Sequence, residues 1–478
     1  MSLPAETGFD PNRRPQAMSA IEHPASARRV RCNVGWNLFG SLAYASGQWL
    51  QLIILAQMGG PAAVGLYAFA LALTAPVMVF ASLCLRFMQA SDARASYTFR
   101  EYLSLRRATT LAAVGTIVAI ASATGAARGA WAVLLPVCAM RAADALSDIY
   151  YGLWQQRERM KVIAWGLLLN SAGSVTFMIA AATAGGGVPA AALGAAAGSW
   201  AALLFIHLRT ATDPELRCAM ASASAPVSWQ RVFRLSREAA PLGVTILLSS
   251  LQQNVPRLFV QYHAGAAALG VFAAASQLTA TADLVGGALA AAASPRLGAH
   301  SASGDTRSFR SLTRHLVLAG AMLGVMGVVL AAGAGEWFLV NVYRPEFASG
   351  APMLVVLSAA AGMTVVASML GYSLTSARVI TIQPSLLTVS LTVVAACCVA
   401  VVPRWGGDGA AWALFAATSV HALLSWAVLR RAVWRPGGTR PYRAGLIPWM
   451  KCSRTVYPSP NVSALGLRVL PRPKTPAQ

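Results

Sequence analysis

Twelve apolar runs, each of roughly twenty residues, divide this chain, and no other feature constrains its fold as strongly. They lie near 33–57, 62–88, 108–127, 130–153, 163–184, 189–208, 239–262, 266–291, 315–334, 351–373, 379–402 and 408–430. At about 1.5 Å per residue, each can cross the ~30 Å hydrocarbon layer of a bilayer as a helix, which pairs its own backbone groups. The first run is too long for a signal-peptide core and reads as a retained helix. Apolar residues make up 56% of the 478 and charged ones 11%, with a mean hydropathy of +0.56. A soluble chain of this length would lack the charge to cover its surface. The expected class is an all-α polytopic membrane protein with twelve transmembrane helices.

A net charge of +22 would point to nucleic acid in a soluble chain, but its distribution gives another account. With both termini cytoplasmic, 33 Lys and Arg fall in cytoplasmic segments and three (Arg128, Arg344, Arg404) in outer ones. That excess follows the positive-inside rule, so the expected site is the inner membrane and no nucleic-acid partner is invoked. The seven cysteines show no CxxC spacing and mostly sit in apolar runs. Neither a disulfide frame, a metal site nor a cofactor is expected.

An internal duplication groups the runs into two sets of six. Residues 62–75 (AAVGLYAFALALTA) match 267–280 (AALGVFAAASQLTA) at eight of fourteen positions with an offset of 205, and 185–193 aligns with 406–414. Six spans per half give the halves one orientation, a parallel repeat about an axis along the membrane normal. The expected divisions are a polar cytoplasmic segment 1–32, a first six-helix bundle 33–208, a cytoplasmic linker 209–238 and a second bundle 239–431. A basic tail, 432–478, lacks helical periodicity and reads as disordered; Met18 is a second plausible start. Basic segments beginning at Phe99, Trp229 and Phe309 read either as short amphipathic helices on the inner leaflet or as plain positive-inside anchors.

Charge inside an apolar run marks function, because an ionised side chain at the bilayer centre costs about 2.5–3.5 kcal/mol. Arg141, Asp144, Asp148, Tyr151 and Gln155 recur at helical spacing on one face of the fourth run. On one reading Arg141 lines a cavity and attracts an anionic headgroup; on the other it pairs with Asp144 inside the helix. Asp144 and Asp148, four residues apart, repel unless one is protonated, which makes them candidates for proton or ion coupling. Asp283 is a further buried carboxylate candidate. Asn254-Val-Pro256-Arg257 adds a second cation in the seventh run. Pro256 withholds a backbone donor and is expected to kink the helix, and Arg257 faces a cavity or snorkels to the outer interface. Gln48, Gln51 and Asn254 are the expected polar cavity residues, with interhelical hydrogen bonding as the alternative for the glutamines. No phosphate-binding loop, HExxH or GxSxG motif is present, and the longest outer segment, 335–350, has 16 residues. Transport is therefore expected, not catalysis.

Several stretches, in this order and spacing, resemble a known family. They are Gly65-Leu-Tyr67-Ala-Phe, Leu85-Arg86-Phe-Met-Gln-Ala-Ser-Asp92, Asp144-Ala-Leu-Ser-Asp148-Ile-Tyr-Tyr151-Gly152-Leu-Trp-Gln155-Gln-Arg-Glu-Arg159-Met160, Pro241-Leu-Gly243, and Gly335-Glu-Trp through Glu346-Phe347. The family is that of bacterial polysaccharide-biosynthesis exporters, the O-antigen and exopolysaccharide flippase type. The likeness runs over residues 30–432, though a glycine is more usual at the position of Arg344 or Pro345. It implies the multidrug/oligosaccharidyl-lipid/polysaccharide exporter superfamily, with two six-helix bundles around a central cavity and alternating access. It further implies a substrate, a polyprenyl-pyrophosphate-linked glycan moved across the bacterial inner membrane for O-antigen, capsule or exopolysaccharide biosynthesis. Membrane lipids, a glycan polymerase and glycosyltransferases are the implied partners. Arg141 and Arg257, the two arginines clearly inside runs and away from their ends, would hold the pyrophosphate. The rival within the fold is a proton- or sodium-coupled multidrug exporter, for which Asp144, Asp148 and Asp283 would serve cationic drugs. Outside it stand a membrane-embedded glycan polymerase and a non-transporting assembly subunit.

Overall fold

An unpaired backbone N–H in hydrocarbon costs several kcal/mol, so a chain this apolar must satisfy its backbone locally. Every regular element among the described residues is a helix. The computed structural model describes residues 24–92, 96–125, 129–221 and 227–433, without the side chains of 24–31, 218–221, 280–281, 283–284 and 432–433. Residues 1–23 of the expected polar segment and 434–478 of the expected tail lie outside the described residues.

The elements are α1 (Pro24–Ser82), α2 (Leu85–Ser91), α3 (Phe99–Thr124), α4 (Trp131–Gln156), α5 (Met160–Thr183), α6 (Gly187–Thr212), α7 (Pro214–Ala221), α8 (Trp229–Ser303), α9 (Thr306–Phe338), α10 (Ala351–Ser376) and α11 (Gln383–Val433). A π turn (Leu339–Tyr343) and a 3-10 turn (Pro345–Gly350) join α9 to α10. Eight helical stretches among the described residues are long and apolar enough to cross a membrane. Three of them, Cys32–Ser91, Trp229–Thr279 and Gln383–Arg431, run 60, 51 and 49 residues. A single crossing needs only about twenty. Each of the three leaves helical geometry at a glycine with positive φ, Gly60 (62°), Gly265 (82°) and Gly406 (52°), where other residues would be strained. α4 has the length of a crossing at 26 residues but carries Arg141, Asp144 and Asp148 in its middle.

The breaks at Gly60 and Gly265 stand 205 residues apart, the offset of the repeated sequence. Just beyond them, Gly65 packs on Ala266 and Gly270 on Pro61, two contacts related by the same offset. A Cβ on either glycine would overlap the opposing carbonyl oxygen, so the two helices cross at backbone contact. Gly65→Ala is expected to wedge this crossing apart and cost about 1–3 kcal/mol, seen as a lower melting temperature in detergent. An unchanged melting temperature would show that the helices separate freely.

One apolar cluster at this end draws on both halves, with Leu55, Val64 and Tyr67 among Leu269, Phe272, Leu339 and Phe347. At the opposite end the core divides. Leu85, Phe99, Tyr150 and Trp154 belong to one cluster, and Leu297, Phe309, Leu370 and Leu374 to another. The core is continuous at the Gly60 end and divided at the Arg86 end, where the opening of α8 belongs with the first of the two clusters.

The basic segments at Phe99, Trp229 and Phe309 are the first turns of α3, α8 and α9, not separate surface helices. For α3 the reason is a capping box. The Thr98 hydroxyl accepts the Glu101 N–H, and the Glu101 carboxylate accepts the Thr98 N–H. The expected linker is structured as well. α6 continues to Thr212, α7 follows, and the opening turns of α8 pack on the first half through Val232 and Leu235. Arg231 pairs with Glu101 at 2.9 Å, and Tyr97 donates to Glu238 at 3.0 Å. Partial burial and that carboxylate push the Tyr97 phenol up to about 12, so it remains a donor at physiological pH.

Candidate functional site

Helical spacing on α4 delivers its charges to two different neighbourhoods. Arg141 and Asp144, three residues apart, approach to 3.9 Å. Asp144 also accepts the Tyr44 hydroxyl at 3.2 Å and the Asn170 amide at 2.9 Å. One turn further, Asp148 meets Arg86 at 3.3 Å and Arg106 at 2.8 Å. Gln155 accepts Arg86 Nε at 3.0 Å, and the Arg86 guanidinium lies 5.6 Å from the Tyr151 ring centre. Asp144 therefore faces one arginine, Arg141, and Asp148 two, Arg86 and Arg106.

Gln48 and Gln51 face the first of these neighbourhoods, beside Tyr44 and Asp144. Gln51 accepts the Tyr67 hydroxyl at 2.8 Å. These contacts draw the helices together and leave about 10 Å³ open. Small-molecule sites run to about 300–1,000 Å³, so this space admits neither a sugar nor a drug.

The wide cavity lies in the second half, lined by α8, α10 and α11, with Phe87 of α2 at its edge. Its volume is about 700 Å³. Arg257 faces it. The guanidinium makes two long hydrogen bonds, both 3.4 Å, to Asn254 Oδ1 and Ser276 Oγ, while its Nε is buried without a partner. Among the described residues no carboxylate pairs with Arg257, and none lines the cavity. A cation so placed is partly shielded from water and has no counter-ion among the described residues.

Asn254 spends its amide on the Ser250 carbonyl at 2.8 Å, which leaves its oxygen to Arg257. Pro256 lies inside α8, and the chain leaves helical geometry at Gly265, between the expected seventh and eighth runs. Proline already has helical φ, whereas the chain needs glycine where φ turns positive. Asp283 lies in α8, and its side chain is outside the described residues.

At the Gly60 end the two halves are latched. Trp49 donates to the Tyr343 hydroxyl at 2.8 Å and stacks on Phe338, and Gln57 donates to the Val342 and Tyr343 carbonyls. The π turn at Leu339–Tyr343 breaks the regular backbone ladder there and makes those carbonyls available. Sequence reasoning missed Arg86, Arg106, Tyr44 and Asn170 as partners of the α4 aspartates. The Thr98-x-x-Glu101 cap would have drawn Arg106 inside a helix. The pairings themselves leave no local signal.

Residues 30–301 match the family described as polysaccharide biosynthesis protein. The capsular polysaccharide biosynthesis protein CapF of Staphylococcus aureus is 20% identical over 335 residues, 68% of this chain and 80% of that protein. Among solved structures, an inward-facing multidrug resistance MATE family transporter of the MOP superfamily matches with a TM-score of 0.64 at 14% identity, over 86% of this chain and 96% of its own. A MOP superfamily transporter from Pyrococcus furiosus matches at 0.59 and 16% identity, over 85% and 96%. The Vibrio cholerae MATE transporter VcmN matches at 0.58 and 14%, over 85% and 97%. The chain shares the fold of these membrane transporters.

Proposed function

Since the chain belongs to the polysaccharide biosynthesis protein family, we propose that it moves a polyprenyl-pyrophosphate-linked oligosaccharide repeat unit across the bacterial inner membrane. It works by alternating access, as a transporter and not an enzyme. One observation carries the reading. Arg257 is a half-buried cation at a cavity of about 700 Å³, with its Nε unpartnered and no carboxylate among the described lining residues. A pyrophosphate would supply the missing counter-ion through charge-assisted hydrogen bonds. Arg141 would add a second cation by exchanging Asp144 for phosphate.

The architecture for this task is twelve crossings in two six-helix bundles, 33–208 and 239–431, joined by 209–238. Eight apolar stretches, three of them broken at a glycine, together with α4 support that count. The reciprocal contacts of Gly65 and Gly270 support the parallel repeat. The excess of Lys and Arg supports a cytoplasmic location for both termini. On that orientation the closed Gly60 end faces outward, and the cavity takes up its substrate from the inner leaflet. Glycosyltransferases would supply the lipid-linked unit, and a glycan polymerase would consume it outside. Of the two α4 carboxylates, the single arginine at Asp144, against two at Asp148, favours Asp144 for coupling an ion.

The test uses the purified protein in liposomes carrying a fluorescent polyprenyl-pyrophosphate oligosaccharide, with an external quencher reporting the leaflet. Protein-dependent exchange between leaflets is expected. Static lipid, with a cationic dye driven against an imposed pH or sodium gradient, would assign a multidrug exporter instead.

A further inference from the structure

The two halves of this duplicated chain differ in what they leave open. Tyr44 and Tyr67 close the first half through their hydroxyls, to Asp144 and Gln51. At the offset of 205 the second half carries Ser249 in place of Tyr44 and Phe272 in place of Tyr67. Both hydroxyl ties are gone, and both Ser249 and Phe272 line the wide cavity. The same offset sets Arg257 where the first half has Leu52. A closed space of about 10 Å³ corresponds to an open one of about 700 Å³ that holds a cation.

The wall of that cavity is mostly apolar, with neutral polar side chains set into it from three helices. Gln252 comes from α8, Ser368 and Thr375 from α10, and Gln383, His421 and Ser425 from α11. Gln383 is held in place because its amide nitrogen donates to the Gly371 carbonyl at 3.1 Å and to Thr375 Oγ1 at 2.8 Å, which leaves its oxygen as an acceptor. Ser425 is 1% exposed, lines the cavity, and its hydroxyl has no partner. A buried hydroxyl in that state costs about 1–3 kcal/mol unless something arriving in the cavity pairs with it. Hydrocarbon would pair with none of these groups. A sugar would, since each of its hydroxyls both donates and accepts and must find partners once out of water. Leu386 and Leu414 on the same wall offer apolar surface to the C–H faces of a ring.

We infer that the second half alone holds the saccharide of the transported lipid, in a polyol subsite formed by Gln383, His421 and Ser425 in the cavity that Arg257 occupies. The first half contributes closure and no sugar contact. This rests on the reading above, in which the pyrophosphate meets Arg257.

The test measures binding by the full-length protein in nanodiscs of two probes, undecaprenyl pyrophosphate and undecaprenyl pyrophosphate carrying a trisaccharide. Wild type is expected to prefer the saccharide-bearing lipid by at least about tenfold. Ser425→Ala, which deletes an unpaired buried hydroxyl and so does not threaten folding, is expected to weaken that preference about fivefold. His421→Leu is expected to act in the same direction, and Arg257→Gln to weaken both lipids. Variants at Ser425 and His421 that keep the full preference would overturn the subsite, as would a wild type that binds both lipids equally. A wild type that binds neither lipid would overturn the functional reading, and the subsite with it.

Discussion

Arg257→Ala is expected to slow leaflet exchange of a polyprenyl-pyrophosphate oligosaccharide by about a hundredfold, with no loss of melting temperature. Removing one partner of a desolvated charge pair costs about 2–5 kcal/mol, which spans roughly thirtyfold to several thousandfold in affinity. The stability half of the expectation is what distinguishes this residue. Arg257 makes only two hydrogen bonds of 3.4 Å and no ion pair among the described residues. Its removal therefore leaves no protein charge stranded and relieves a half-buried cation. Arg257→Lys keeps the charge but loses the planar fork that fits phosphate, so an intermediate deficit of about tenfold is expected. The measurement is the initial rate of quencher-protected fluorescence in liposomes matched for protein content. A wild-type rate in the alanine variant would take Arg257 out of the substrate path.

The second large effect is expected at Asp148 and is one of stability. Asp148 neutralises Arg86 and Arg106, and the Arg106 side chain is 1% exposed. Asp148→Asn would leave that arginine buried with no anion, a change that costs about 3–5 kcal/mol. Thermal melting in detergent and the yield of folded monomer should both fall. Replacing Asp148→Leu together with Arg106→Met should recover much of the loss, because the fully buried arginine is then gone and Arg86, with its side chain 28% exposed, can be hydrated. If Asp148→Asn melts like wild type while transport stops, Asp148 belongs to ion coupling and not to the scaffold.

Both predictions turn on arginines that look alike in sequence. Arg141 and Arg257 stand out because hydropathy isolates them within apolar runs. Arg86, at the end of the second run, and Arg106, just before the third, count among the cytoplasmic Lys and Arg. The capping box at Thr98 starts α3 at Phe99 and carries Arg106 into the helix body. The glutamines misled for a related reason. Gln48 and Gln51 have the polarity of cavity residues, but the hydroxyls of Tyr44 and Tyr67 close their half, and nothing adjacent in the chain announces those contacts. The linker misled too, since Val232 and Leu235 read as part of a basic surface segment until their packing on the first half is seen.

By itself the sequence determined the helical membrane class, the positions of charge within apolar runs, the offset of 205 between repeats, and the family resemblance that the match over 30–301 bears out. Each depends on residue type and spacing along the chain, because a helix satisfies its backbone within one segment and hydropathy is a property of that segment. Only the tertiary structure decided which charges are neutralised and which half is hollow. Arg106 finds Asp148 across 42 positions, Tyr44 finds Asp144 across 100, and Arg257 finds no carboxylate among the described residues. An ion pair depends on a few ångströms of separation and on the surrounding dielectric, quantities that no local pattern carries.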